Sequence, residues 1–310
     1  LNWLNQNPFR SVDFYYVKGQ KMPETDLIVK VQDRRPLRIY TGYQNSGFQI
    51  AGNSRWFVGW NYGNVWGLDH QFNGQFVCAT EVHRWWAMAG NYIIPLPWYH
   101  YLKFYGSVSR AQADMEFDFL QHGHGWYVGT RYEFPLLPIL QLTHNLALGY
   151  DFKRTNNFLT YSSNLLYNNY SDISQFLLDY NGSVTDRWGV TAFGATIYYS
   201  PGDMTKYNKD QYFTVQRSGA VSNYVYGSMH CDRTTVLPRN FSWILSFYLQ
   251  VASGKLLPTE EISVGGEYTV RGYKENAVVG DQGFLLKNEL RLPAFELFFR
   301  RKSAEKKIKD

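Results

Sequence analysis

From Arg34 onward, apolar and polar residues alternate along most of the chain with a period of two. The clearest run is "FSWILSFYLQVA", Phe241 to Ala252. Phe241, Trp243, Leu245, Phe247, Leu249 and Val251 fall on one face. Ser242, Ser246, Tyr248, Gln250 and Ala252 fall on the other, with Ile244 the exception. Successive strand side chains point to opposite faces, so this is the pattern of a sheet with one apolar side. The run has the length of roughly 9–11 residues that a tilted strand needs to cross a bilayer. In "WYVGTRYEF", Trp126, Val128, Tyr132 and Phe134 oppose Tyr127, Arg131 and Glu133. In "LTHNLALGYDF", Leu142, Leu146, Leu148, Tyr150 and Phe152 oppose Thr143, Asn145 and Asp151. In "FLLKNELRL", Phe284, Leu286 and Leu290 oppose Lys287, Glu289 and Arg291. The spacing predicts twelve strands, beginning near residues 34, 55, 69, 84, 100, 114, 140, 174, 189, 212, 241 and 283.

The connections fall into two sets. "WGLDH" (66–70), "PLPWYH" (95–100), "FPLLPIL" (134–140), "TVLPRNF" (235–241) and "RLPAF" (291–295) are short. Segments 45–54, 118–125, 156–172, 200–210 and the stretch around Val264 are longer and read as loops. Short turns on one side and long loops on the other are the asymmetry of an outer-membrane barrel. Trp and Tyr beside the short turns suit an interfacial girdle.

Composition narrows the class. Aromatic residues are 18% of 310, with 25 Tyr, 21 Phe and 10 Trp, while the mean hydropathy is −0.39. No apolar run approaches the ~18 residues of a membrane helix. Apolar outward residues diluted by polar inward ones reconcile the two values and point to a transmembrane antiparallel β-barrel. A soluble up-and-down β fold or a lectin-like sandwich is the alternative. The net charge of +5 is not gathered into a stripe outside "RRKSAEKKIKD" (Arg300 to Asp310), which reads as a solvated end. No nucleic-acid partner is expected. Cys78 and Cys231 form no CxxC pair and read as spare thiols.

Residues 1–33 are of another kind. "LNWLNQN" reads as the last turns of a helix stopped by Pro8. "VDFYYVKG" and "DLIVKVQD" read as two strands. The start has neither the basic residues nor the apolar core of a leader. This stretch is expected to be the end of a small α+β domain.

Between the strands at 241 and 283 lies a loop, Ser253 to Gly283, far longer than a hairpin needs. It is rich in apolar residues and wants a surface to pack on. Within it stands "LPTEEISVGGEYTVRGY", followed by "DQGFLLKNELRLP". Pro258, Glu261, Gly265, Gly266, Val270, Arg271, Gly272 and Tyr273 resemble, without gaps, the signature of two-partner secretion transporters. These are the TpsB haemolysin-activator type, in the superfamily of the BAM and chloroplast outer-envelope insertases. The start through "TGYQNSG" resembles that family's join between its last POTRA domain and its barrel.

The resemblance implies a POTRA end over residues 1–33. Over 34–310 it implies the first twelve strands of a sixteen-stranded barrel, with a lid loop at 253–283 folded back into the lumen. It implies a periplasmic POTRA part and a barrel in the bacterial outer membrane. A secreted exoprotein is the implied substrate, lipid and lipopolysaccharide surround a monomeric barrel, and no cofactor or catalysis is expected. In the family the loop arginine meets an aspartate of a Phe-x-Asp-x-Gly motif on the next strand. No such motif follows Phe299, so the Arg271 pair is expected to be incomplete here, with Glu289, Glu133 and Arg131 as inward candidates for further contacts. An open twelve-stranded sheet is expected not to close alone. An insertase of the same superfamily and a diffusion porin are the other readings.

Three features are set aside. His122 and His124 could share a face, but without a third ligand they read as a loop tip. Thr259 to Glu261 holds adjacent carboxylates with no acid–base partner in sequence. No phosphate loop, nucleophile elbow or zincin helix is present.

Overall fold

The computed structural model describes residues 3–19, 24–45, 52–114, 119–161, 164–266, 268–274 and 276–293. The first strands are β1 (Arg10–Lys18) and β2 (Thr25–Asp33), which form a sheet of their own. Twelve further strands form one antiparallel sheet in which each pairs with its neighbour in sequence. They are β3 (Leu37–Gln44), β4 (Arg55–Val65), β5 (His70–Ala79), β6 (Trp85–Pro95), β7 (Tyr101–Asp114), β8 (Phe119–Pro135), β9 (Leu142–Tyr161), β10 (Asn164–Asp186), β11 (Gly189–Pro201), β12 (Asn223–Val236), β13 (Ser242–Ala252) and β16 (Gly283–Arg291). The intervening β14 (Ile262–Val264) and β15 (Val278–Gly280) form a small hairpin within the lid loop. β3 and β16 stand at the two ends of the twelve-stranded order. No helix among the described residues is long and apolar enough to cross a membrane.

The two faces of the sheet follow the period-two pattern. Trp126, Val128, Leu148, Phe176, Leu178, Ile197, Met229, Val251 and Leu286 stay exposed on the convex side, where register places them in cross-strand rows such as Leu178 beside Leu148 and Ile197. The concave side carries Arg131, Asp151, Gln175 and Tyr226. Exposed apolar area of this extent has to meet lipid. Trp66, Trp98, Tyr99 and Trp188 are exposed beside the short turns, as the girdle reading expects.

Three expectations need correcting. First, segments 118–125 and 156–172 are mostly strand, not loop. β8, β9 and β10 have 17, 20 and 23 residues, well beyond the ~9–11 that span a bilayer. Cross-strand hydrogen bonds continue the ladder where the sequence turns polar, because a hairpin of polar residues is stable when its neighbours share the register. His122 and His124 therefore sit in β8 and not at a loop tip, and they belong to no group of three or more potential metal ligands among the described residues. Second, the strand expected near 212 begins at Asn223. Before it stands a short helix, α1 (Asp210–Gln216). Third, the stretch around Val264 has strand structure, with Ile262 opposite Gly280 and Val264 opposite Val278. Cys78 and Cys231 are both free.

The buried apolar cluster lies on the concave side of the sheet. Phe213 of α1, Ala220, and Leu256 and Leu257 of the lid loop pack with Ile173, Tyr224, Tyr226 and Ala252 of the wall. Tyr198 stacks on Tyr226 with ring centroids 4.5 Å apart.

The N-terminal module docks on the short-turn side. Asn7 donates to the Gly63 carbonyl at 2.7 Å and to Asp69 at 2.6 Å. Arg10 is ion-paired with the same Asp69, and Trp3 meets Tyr99 edge to face at 5.3 Å. "LNWLNQN" keeps only one 3-10 turn, Leu4–Gln6.

Candidate functional site: the lid loop and its anchors

The loop between β13 and β16 has a root and a tip, held in different ways. At the root, Leu256 and Leu257 are fully buried. The chain then turns sharply, with the Glu260 amide donating to the Leu257 carbonyl at 2.8 Å. That turn drives Glu260 into the wall, where its side chain is 1% exposed. Lys153 of β9 donates to it at 2.7 Å, Tyr226 of β12 at 2.8 Å and Gln175 of β10 at 3.1 Å. Gln250 of β13 donates to the Glu260 backbone carbonyl at 2.9 Å. A buried carboxylate is tolerable only when paired and hydrogen-bonded in this way. Removing one partner from such a pair costs about 3–5 kcal/mol.

A second anchor comes from the connection between β11 and β12. Arg217, one residue past α1, donates to the Leu256 carbonyl at 2.7 Å and pairs with Glu261 at 3.0 Å. Its fork also takes both oxygens of Asp281, a bidentate arrangement that sets orientation as well as charge. Asp281 in turn accepts the Leu256 amide at 2.7 Å. One guanidinium thus ties the two arms of the loop together. Burial pushes the Asp281 carboxyl up, but the hydrogen bonds from Arg217 and the Leu256 amide outweigh it and hold the group below its usual range.

The tip carries the rest of the signature. Gly265 has φ 121°, and a Cβ there would stand 2.3 Å from the Lys274 carbonyl oxygen. Only glycine fits that crossing of the two arms. Gly266 and Gly272 also have positive φ, 95° and 91°. Thr269 closes the tip by bonding both the amide and the carbonyl of Gly265 at 2.7 Å. Arg271 pairs with Glu289 of β16 at 3.1 Å, with 75% of the Arg271 side chain exposed. Lys287 donates to the Tyr268 carbonyl at 2.9 Å. Pro258 and Tyr273 are exposed, and Val270 is half-buried.

The sequence-derived residues therefore divide. Glu261 belongs to the root. Gly265, Gly266, Val270, Arg271, Gly272 and Tyr273 form the tip. Of the three inward candidates, Glu289 meets Arg271, whereas Glu133 pairs with Lys103 and Arg131 with Asp151. The Arg271 pair, expected to be incomplete, has Glu289 as a partner within this chain. Sequence reasoning missed Glu260, Lys153 and Arg217. The adjacent carboxylates of Thr259–Glu261 were the signal for Glu260. Arg217 had none, since its partners lie 39 and 64 residues away.

A twelve-stranded sheet with a lipid-facing side, and a long loop packed on the other side, defines a transmembrane β-barrel with a loop docked on its inner wall. Residues 23–306 match the family Haemolysin secretion/activation protein ShlB/FhaC/HecB, and the chain belongs to that family of bacterial outer-membrane proteins. It is 20% identical over 319 residues to the heme/hemopexin transporter protein HuxB of Haemophilus influenzae (strain 86-028NP), covering 94% of this chain and 52% of that protein. Over 55 residues it is 42% identical to the outer membrane transporter CdiB of Escherichia coli O6:K15:H31 (strain 536 / UPEC), covering 18% of this chain and 9% of that one. Among solved structures, CdiB from Escherichia coli has the same fold with a TM-score of 0.80 at 19% identity, covering 94% of this chain and 55% of that chain. BamA from Haemophilus ducreyi lacking POTRA domains 1-3 matches with a TM-score of 0.58 at 12% identity, covering 96% and 61%. The chain spans about half the length of HuxB and of the CdiB structure.

Proposed function

We propose that this chain forms most of the pore of an outer-membrane transporter that secretes a partner exoprotein through its barrel, with no nucleotide hydrolysis. The observation that carries this is the signature-bearing loop lying across the concave, polar side of a lipid-facing sheet, in a chain of the haemolysin secretion/activation family. A loop docked inside a barrel closes it, and a polypeptide can pass only if part of that loop shifts. The energy would come from folding of the partner outside. Residues 1–33 act as the end of a periplasmic POTRA domain. β2 is exposed along its whole length, which suits capture of an extended segment by strand addition. The outer wall meets lipid and lipopolysaccharide, and the barrel works as a monomer. Pro258, Glu261, Gly265, Gly266, Val270, Arg271, Gly272 and Tyr273 set the position of the lid.

The test uses the natural full-length protein with a candidate exoprotein co-expressed. Export is compared between wild type and Arg271→Ala at matched outer-membrane levels. The expected result is a several-fold loss of export with the barrel still folded. Unchanged export would remove Arg271 from the mechanism, and a wild type that exports nothing would favour the insertase or porin reading.

A further inference from the structure

The concave wall is chemically divided. Among the described residues, the hydrogen bonds from the lid loop to the wall go to β9, β10, β12, β13 and β16, through Lys153, Gln175, Tyr226, Gln250, Lys287 and Glu289. The facing strands, β4 to β7, carry a different surface. Asn61 of β4 donates to Asn73 of β5 at 2.9 Å, and Asn73 donates to Asn91 of β6 at 2.8 Å. These three stand side by side in register. In the next row Gln75 lies beside Gly59 and Ala89, with Ala89 beside Ser107 of β7. A shallow cavity runs along these rows, lined by Asn61, Asn73, Gln75, Asn91, Tyr105 and Ser107. The concave faces of β5 and β6 are built from Gln71, Asn73, Gln75, Val77 and Ala79, and from Trp85, Ala87, Ala89, Asn91 and Ile93. None of these is charged. Charge borders this surface: Lys103 of β7 pairs with Glu133 and Arg55 of β4 lies over the Trp85 ring, and the pairs Arg131–Asp151 and Lys153–Glu260 stand further round the sheet.

We propose that this amide strip on β4–β7 is the track along which the exported polypeptide runs, in extended form, past the docked root of the lid. The inference rests on the transport reading above. An extended chain presents main-chain N–H and C=O groups in alternation, and each must find a partner where water is scarce. Carboxamides supply both a donor and an acceptor on one short side chain. The ladder consumes one donor each of Asn61 and Asn73 and one acceptor each of Asn73 and Asn91, leaving capacity in every member for a passing chain. Small neighbours, Ala89 and Ser107, leave width for side chains of varied size, while the Tyr40 ring covers Gly59. The absence of charge on the β5 and β6 faces, between Arg55 and Lys103, matters as much. A fixed carboxylate or ammonium would bind opposite charges on the substrate and stall it, whereas neutral hydrogen bonds are made and broken easily. The surface thus fits any unfolded polypeptide through its backbone and does not read its side chains.

The experiment uses the full-length protein co-expressed with an exoprotein slowed in transit by a folded, disulfide-closed domain at its end. A benzophenone amino acid replaces Asn73, Gln75 or Asn91 in turn, and Asp179 of β10 or Thr196 of β11 in parallel. Each variant is checked for a folded barrel and for residual export before illumination. Several-fold more exoprotein adduct at 73, 75 and 91 than at 179 and 196 is the expected result. Equal adducts on both walls, or a preference for 179 and 196, would overturn the track. So would export without adducts at any position. A wild type that exports nothing and yields no adduct fails at the transport reading itself and takes this inference with it.

Discussion

At the residue scale, the lid is governed by a few polar side chains in places a sequence pattern does not single out. Glu260 is the centre of the root, and Lys153 reaches it from 107 residues away. Arg217 and Asp210 do the corresponding work for the connection between β11 and β12. The Ser222 amide and hydroxyl donate to Asp210 at 2.7 and 2.8 Å, and these bonds hold its carboxyl below the usual range. The folded value lies beneath an unfolded one of about 3.9. The stabilisation is therefore fully present above roughly pH 4 and is lost as pH falls through the folded value. Hydrogen-exchange protection of the Ser222 amide, corrected for the intrinsic rate, should fall over that acid range in wild type. In Asp210→Asn the fall should vanish. A pH-independent wild type would show that Asp210 does not hold this connection.

At the element scale, root and tip of the lid differ in how they are held. The root is buried and tied to β9, β10, β12, β13 and the Arg217 connection. The tip rests on an exposed Arg271–Glu289 pair and one bond from Lys287. Exposed pairs contribute about 0–1 kcal/mol, so the tip is the part that shifts at least cost. Opening is then expected to move residues 265–277 and leave 254–262 in place. The isolated bridge between Ala220 and Lys255 brings their Cα atoms within disulfide range. An Ala220→Cys/Lys255→Cys pair, in a Cys78→Ser/Cys231→Ser background, should export equally well oxidised and reduced. Export lost on oxidation and restored by reductant would mean that the whole loop swings out.

At the scale of the whole molecule, the apolar core has moved. Burial inside the sheet is concentrated where the lid root and α1 pack on the wall, while most large apolar side chains face outward. A soluble protein could not keep Leu148, Phe176 and Ile197 in one exposed band. Leu148→Arg should destabilise the full-length protein in vesicles by about 2–4 kcal/mol, and Trp188→Arg, beside a short turn, by about 0–1. Urea unfolding of both variants checks this. Equal effects at the two positions would place the bilayer elsewhere on the wall.

The sequence by itself determined the period-two faces and the number of strands in the large sheet. Those properties are local, because alternation along one strand decides which face is apolar. It also determined the signature loop, whose glycines and arginine are consecutive enough to be recognised. Only the tertiary structure decided what the loop touches. Polar extension of β8 to β10 looked like loop because ladder hydrogen bonds leave no mark in composition. α1 is seven residues long, too short for a helical period to stand out, and it is held by Phe213 in the inner cluster and by the Ser222–Asp210 bonds. The bonds of Glu260, Arg217 and the Asn61–Asn73–Asn91 ladder depend on register between strands and on the path of a folded-back loop. Neither is encoded at any single stretch of chain.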